Sequence, residues 1–244
     1  MLQIIADTHT HSLACDHAYS TLAENMAAAK KQGLKFVAST EHAPLLPGAP
    51  TELYFSALHI LPRFWNGVML LKGTEVNILD YAGRLDLSDS VLGRMEWVVA
   101  SMHGVVLKPA TPAEHTNGWL AVAENPLVDV IGHCGEAAFL FEHEPVVKAF
   151  AQNGKIVEIN SHSFAIRAGA KENCAQIAKL CAQYRVPVVV SSDAHFCSYV
   201  GRFDSAVKML EEINFPQELI LNADYNRFLR VAQQKSGRNL IDEE

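Results

Sequence analysis

Histidine and carboxylate recur in short clusters along this chain. Asp7-Thr8-His9-Thr10-His11 opens the series. Thr40-Glu41-His42, Gly73-Thr74-Glu75, Ser101-Met102-His103 and Gly132-His133-Cys134-Gly135 follow. Glu158-Ile159-Asn160-Ser161-His162 and Ser191-Ser192-Asp193-Ala194-His195 complete it. Imidazole nitrogen and carboxylate oxygen are ligands for zinc, manganese and iron. His9 and His11 are two apart, so on an extended segment both side chains point the same way. Asp193 and His195 repeat that spacing near the other end of the chain. A lone strand-end histidine is usually a hydrogen-bonded structural group, and one HxH pair says little. The full run says more, because buried imidazoles and carboxylates brought together are costly without a cation to pair them. The ligands exceed what one tetrahedral ion takes, which points to at least two ions, and to three.

Other residues carry weaker signals. His59 and His143 sit in helix-like or loop contexts and read as structural or surface groups. His115 follows the fourth apolar run and reaches substrate or plays a structural part. His162 reads as a ligand, a substrate contact or neither. Arg167 is a candidate phosphate clamp, since guanidinium binds phosphate through two parallel bonds; a solvated loop arginine is the equal alternative. No GxSxG elbow is present, and a metal-held nucleophile needs no Ser or Cys.

Each cluster follows a short apolar run. The candidate strands are 3–7, 35–39, 68–74, 97–101, 128–132, 155–159 and 187–191. Candidate helices cover 21–32, 112–124, 145–153, 171–184 and 201–213, with a last one after Asn222. Thr21 with Glu24 three residues on marks an N-cap, and Gly33 marks the stop. Continuous apolar strands separated by helices imply a parallel sheet covered on both faces. Seven such units suggest closure into a barrel, with the clusters at the C-terminal edge where the βα loops converge. First and last strands are then neighbours, which brings HxH and DxH together.

The chain has 244 residues, 49% of them hydrophobic, enough for one domain with a large core. That domain is expected over residues 1–235, with 236–244 a flexible tail. Twenty Lys and Arg against 27 Asp and Glu leave a formal charge of −7. This argues against a stable nucleic-acid partner, though bound cations reverse the field locally. No apolar run reaches the ~20 residues needed to span a bilayer. LQIIAD at the start carries no basic leader, so a cytoplasmic location is expected. Five cysteines without a CxxC pair fit reduced, mostly buried thiols.

The ordered motifs DTHTHSLACDHAYST (7–21), STEHAP (39–44), GTEVNI (73–78), SMHG (101–104), GHCG (132–135), EINSHSF (158–164), ENC (172–174) and SSDAH (191–195) resemble the PHP superfamily, named for polymerase and histidinol phosphatase. The match spans nearly the whole chain and is closest to the compact YcdX-type bacterial phosphatases. The resemblance implies a distorted seven-stranded (β/α) barrel, TIM-like, with a trinuclear centre. By motif position, His9, His11, Glu75 and Asp193 would hold one ion. Glu75 would bridge to a second, also held by His103 and His133. His17, His42 and His195 would hold a third; His17 enters only through the resemblance. The ions would be zinc, with manganese or iron as alternatives. Glu41 stands where the family usually has Asp, Ala43 replaces the usual Gly, and Cys134 the common Pro. None of these removes a ligand, but the longer Glu41 bears on the orientation of His42.

The function implied is hydrolysis of a small phosphate monoester by a metal-bridged hydroxide. Glu75 and Asp193 serve as ligands, Arg167 contacts phosphate, and Asp7 orients a histidine. A phosphodiesterase or nuclease is the alternative, and a non-catalytic metal-binding module a third reading. Amide or lactone hydrolysis ranks below them. Related proteins form trimers, so a homo-oligomer is a further expectation.

Overall fold

The computed structural model describes residues 2–241. Eight strands form one sheet: β1 (Ala6–Thr10), β2 (Phe36–Ser39), β3 (Phe64–Trp65), β4 (Val68–Asn77), β5 (Trp97–Ser101), β6 (Val130–Ile131), β7 (Ile156–Asn160) and β8 (Val188–Ser191). Seven run parallel in the order β1-β2-β4-β5-β6-β7-β8, and β3 pairs antiparallel with β4 as a short hairpin. A parallel bridge from Thr10 to Ala194 brings the last strand back to the first. The result is a seven-stranded α/β barrel of the TIM-like kind.

Helices α1 (Leu22–Lys31), α2 (Glu52–Ala57), α3 (Asp89–Leu92), α4 (Pro112–Glu124), α5 (His143–Gln152), α6 (Ser163–Ile166), α7 (Ala170–Tyr184), α8 (Asp204–Glu212) and α9 (Tyr225–Ser236) lie between and after the strands. The predicted cap of α1 forms: Thr21 accepts from the Glu24 amide while Glu24 reaches back to the Thr21 amide. The same box, unforeseen, starts α4 at Thr111 and Glu114. No described helix is long and apolar enough to cross a membrane.

Alternation along each strand explains how the site is assembled. Phe36 and Ala38, Met69 and Leu71, Trp97 and Val99, Ile156, and Val189 fill the barrel interior. Continuing every second residue gives Thr40 and His42, Gly73 and Glu75, Ser101 and His103, Glu158 and Asn160, and Ser191 and Asp193. The inner face is thus apolar at the N-terminal end and lined with polar groups, imidazoles and carboxylates among them, at the C-terminal end. Two of these positions are crowded: a Cβ at Gly73 would run into the Trp97 carbonyl, and one in the β6 exit at Gly132 into the Ser101 hydroxyl. The opposite, outward faces pack against the helices.

Two places break the alternation. Ala6 points inward, so His9 has the wrong parity to follow it. The register between β1 and β2 shifts between Asp7 and Thr10, and that irregularity turns His9 and His11 toward the interior. His133 follows Gly132 out of phase and adopts φ +22°, a left-handed turn that re-aims its ring.

The far end of the barrel is closed by α9. Phe228, Leu229 and Ala232 join the interior core, as does Leu240 beyond the helix. The expected tail therefore begins inside α9 at Ser236 and contains a buried leucine at 240; residues 242–244 lie outside those described.

Candidate metal centre

All nine residues expected to hold metal meet at the C-terminal mouth. His9 Nε2 lies 3.1 Å from His11 Nε2, 3.3 Å from Glu75 Oε2 and 3.8 Å from Asp193 Oδ1. His11 Nε2 lies 3.6 Å from Glu75 Oε2 and 3.3 Å from Asp193 Oδ1. These are five edges of a four-cornered figure. Ligand atoms bound tetrahedrally at about 2.0–2.1 Å lie roughly 3.3 Å apart, so the set fits one ion. Beside it, Glu75 Oε1 sits 3.3 Å from His103 Nε2 and 3.0 Å from His133 Nε2, which are 3.2 Å from each other. His17 Nε2 faces His42 Nε2 at 3.2 Å, and the His195 ring stacks 4.8 Å from that of His17.

The groups are contiguous rather than separate. His42 Nδ1 approaches Glu75 Oε2 to 2.6 Å, and the His11 ring stacks against those of both His42 and His195 at 4.1 and 4.3 Å. Three further combinations have donor atoms close enough for one ion: His11 with His42 and His195, His42 with Glu75 and His103, and His11 with Cys15 and Glu41.

Not every polar atom here is satisfied by another. Glu75 Oε2, His42 Nδ1 and His11 Nδ1 are buried without a hydrogen-bond partner, although the first two nearly touch. Pairs of imidazole nitrogens point at each other, an arrangement that wastes donors and acceptors unless something sits between them. The donor set of imidazole and carboxylate suits a divalent cation of the zinc class.

Charge at the centre is strongly polarised. Burial alone would lower the pKa of His9, but Glu158, Glu75 and Asp193 outweigh it and hold His9 well above its ordinary value. Burial would raise Asp193 and Glu75; His9 and the neighbouring imidazoles reverse this and hold both carboxyls well below theirs. Burial, with Arg167 nearby, lowers His133 to about 4, which leaves its ring neutral and able to ligate.

Residues behind the candidate ligands fix their orientation. His9 Nδ1 donates to Glu158 Oε1 at 2.6 Å, and His103 Nδ1 to Asn77 Oδ1 at 2.7 Å, so each presents Nε2 to the centre. Glu158 also accepts from the His133 amide at 2.6 Å and from Ser191 Oγ at 2.6 Å, tying three strand ends together. Asn160 donates to Asp193 Oδ2 at 3.0 Å, and Asp193 itself sits at φ +52°. None of these supporting roles was read from the sequence. Their positions inside EINS and EVN, on the inward alternation of β7 and β4, are the signal that finds them.

Asp7 corrects the expectation made for it. Its carboxylate accepts from Ser192 Oγ, the Ser192 amide and the Gly201 amide, and orients no histidine side chain. It lies on the side of β1 turned away from His9, where it fastens the loop after β8. Burial pushes its pKa up to about 6. Glu41 is likewise turned from His42. It accepts from Ser12 Oγ at 2.6 Å, the Ser12 amide at 3.0 Å and Cys15 Sγ at 3.2 Å, bracing the loop that carries His17.

The other candidates separate cleanly. Arg167 reaches the centre, with Nη1 3.4 Å from Asp193 Oδ2 and 2.8 Å from Ser163 Oγ, and its Nε 3.5 Å from Glu136. His162 lines the same cleft. His115 is structural: Nδ1 donates to the Leu140 carbonyl and Nε2 accepts from the Ala110 amide. His59 bonds the Ser56 carbonyl on the surface, and His143 packs on Phe141 at the start of α5. All five cysteines are free thiols, four of them buried.

No family model matches the chain. Whole-length relatives do. A probable phosphatase of Clostridium botulinum (strain Hall) is 40% identical over 234 residues, covering 96% of both chains. One from Acetivibrio thermocellus is 41% identical, covering 97% of this chain and 98% of its own. One from Caldicellulosiruptor saccharolyticus is 42% identical, covering 96% and 98%. Among solved structures, histidinol phosphate phosphatase from Lactococcus lactis, in complex with zinc, L-histidinol and phosphate, superposes with a TM-score of 0.64. It is 17% identical and is matched over 86% of this chain and 94% of its own. A histidinol phosphatase described as putative, from Listeria monocytogenes, gives 0.58 at 17% identity, over 81% and 97%. Those two likenesses speak to the barrel; the whole-length relatives, with the ordered motifs now gathered at one rim, make this chain a member of the PHP superfamily and of its family of bacterial probable phosphatases.

Proposed function

We propose that the chain is a metal-dependent phosphatase that hydrolyses a monoester of a small molecule. Three divalent ions, zinc in the first instance, are held in the sets His9–His11–Glu75–Asp193, Glu75–His103–His133 and His17–His42–His195. The observation that carries the reading is the packing of imidazole nitrogens and carboxylate oxygens at ligand-to-ligand spacing, with buried atoms among them that find no protein partner. The names of the relatives, and the zinc and phosphate in the Lactococcus lactis structure, support the same chemistry.

Bound cations of this kind acidify water and neutralise charge on phosphoryl oxygens. The protein's part is to place them. Glu75 contributes both oxygens and so sets the spacing between two sets. Glu158 and Asn77 fix which nitrogen of His9 and His103 faces inward. Asp193, tied by Asn160, keeps one oxygen toward His11. Arg167, at the edge of the same cleft, offers guanidinium hydrogens to a phosphoryl oxygen.

The test uses chelator-stripped protein reloaded with zinc. Phosphate release from p-nitrophenyl phosphate, with little from bis(p-nitrophenyl) phosphate, is expected. His9→Ala and Asp193→Ala each lower turnover by about a thousandfold or more. Unchanged turnover in either variant at full metal loading overturns the assignment, and faster cleavage of the diester overturns the monoester class.

A further inference from the structure

We propose that the alcohol leaving the phosphate is apolar beside the ester oxygen, an aromatic ring or branched chain rather than a polyol. This deepens the phosphomonoesterase reading and rests on it. The cleft over the metal centre has a volume of about 520 Å³. The inward-facing histidines and Asp193 form its floor. The rest of its lining comes from three segments: Leu46 and Pro47 after β2, Val105 after β5, and His162, Ile166 and Arg167 in and beside α6 after β7.

Val105 is 71% exposed and Ile166 58% exposed. Single exposed aliphatic side chains are ordinary. Here two of them join Leu46 and Pro47, from separate segments of the chain, around one opening, and that convergence points to an apolar occupant. The polar side chains outside the floor are His162 and Arg167. Arg167 is already engaged with Asp193, Ser163 and Glu136 at the phosphate end.

A polyol leaving group would press its hydroxyls against this aliphatic lining. Each hydroxyl left without a partner weakens binding by roughly tenfold or more. A hydrocarbon group gains instead by leaving water. A second negative charge on the leaving group would meet no additional cation among the cleft's lining residues.

The experiment separates this proposal from the reading beneath it by using non-hydrolysable ligands. Benzylphosphonate and 2,3-dihydroxypropylphosphonate are titrated into the zinc-loaded full-length chain and into its Val105→Asn/Ile166→Asn double variant. Both substitutions lie at exposed positions. Benzylphosphonate should bind the unaltered chain at least about tenfold more tightly. The double variant should erase most of that difference while binding inorganic phosphate as before. Equal affinities in the unaltered chain, or a preference that survives both substitutions, overturns the proposal. A preference that depends on Val105 and Ile166, with neither corresponding phosphate ester hydrolysed, supports the apolar lining and refutes the phosphatase reading instead.

Discussion

At the N-terminal end of the barrel, Arg63 grips Glu96 through two bonds of 2.6 Å, and Lys155 donates to the carbonyls of Asn125 and Val128 at 2.5 and 2.6 Å. At the C-terminal end, three pairs of imidazole nitrogens face one another at 3.1 to 3.2 Å, and Glu75 Oε2 has no hydrogen-bond donor. Both ends bury charged or ionisable groups within one sheet. The first matches donors to acceptors inside the protein, as a structural ion pair must. The second aims like groups at shared points, which is sensible only if cations complete it. Buried charge alone does not mark a functional site; the pattern of unmatched partners does.

Each end of the barrel can be perturbed alone. The largest effect on stability should come from the matched end. Glu96→Gln removes the charge between Arg63 and Arg238 and should cost about 3 kcal/mol, read from the urea midpoint. Zinc bound per folded chain should not change, and its loss would mean the two ends are not independent. Next, Glu158→Gln replaces an acceptor of three inward hydrogen bonds by a group that is half donor. Zinc affinity, measured against a competing chelator, should fall about 10- to 100-fold. Unchanged affinity would show that His9 and His133 hold their places without it.

The smallest effect concerns Asp129, which accepts from the Val98 amide at 2.9 Å. Burial pushes its carboxyl from 3.8 up to about 6. The folded chain thus holds this proton more tightly than the unfolded chain. The contribution to stability is fully present below pH ~4 and is lost as pH rises through 6. Asp129→Asn keeps an acceptor for Val98 and should raise stability by about 1–2 kcal/mol at pH 8. The gain should vanish near pH 4 in thermal unfolding; a gain that is constant with pH would contradict the assignment.

Much of this is legible in the amino-acid sequence. The strand Trp97–Ser101 falls where its apolar run begins and ends, and the α1 cap follows from Thr21 and Glu24. The rim of imidazoles and carboxylates follows from reading what each strand releases. The apolar run puts the first strand at 3–7, three residues early, because its bulge hides the change of face after Ala6. The β3–β4 hairpin was missed although Asn66-Gly67, both at positive φ, is a turn signal between apolar runs. His17 lies in a loop, where periodicity is silent, and only the family motif points to it. Glu158 and Asn77 carried the right chemistry in the right motifs. Their task depends on which ring they meet, and that is a property of packing between distant strands.

Whether cations complete the rim is decided by counting metal. Chelator-stripped protein should take up three equivalents of zinc per chain, and at a hundredfold excess over the dissociation constant a single site should add about 2.7 kcal/mol to the unfolding free energy. Less than one equivalent bound at saturating zinc, with an unmoved unfolding midpoint, would contradict it.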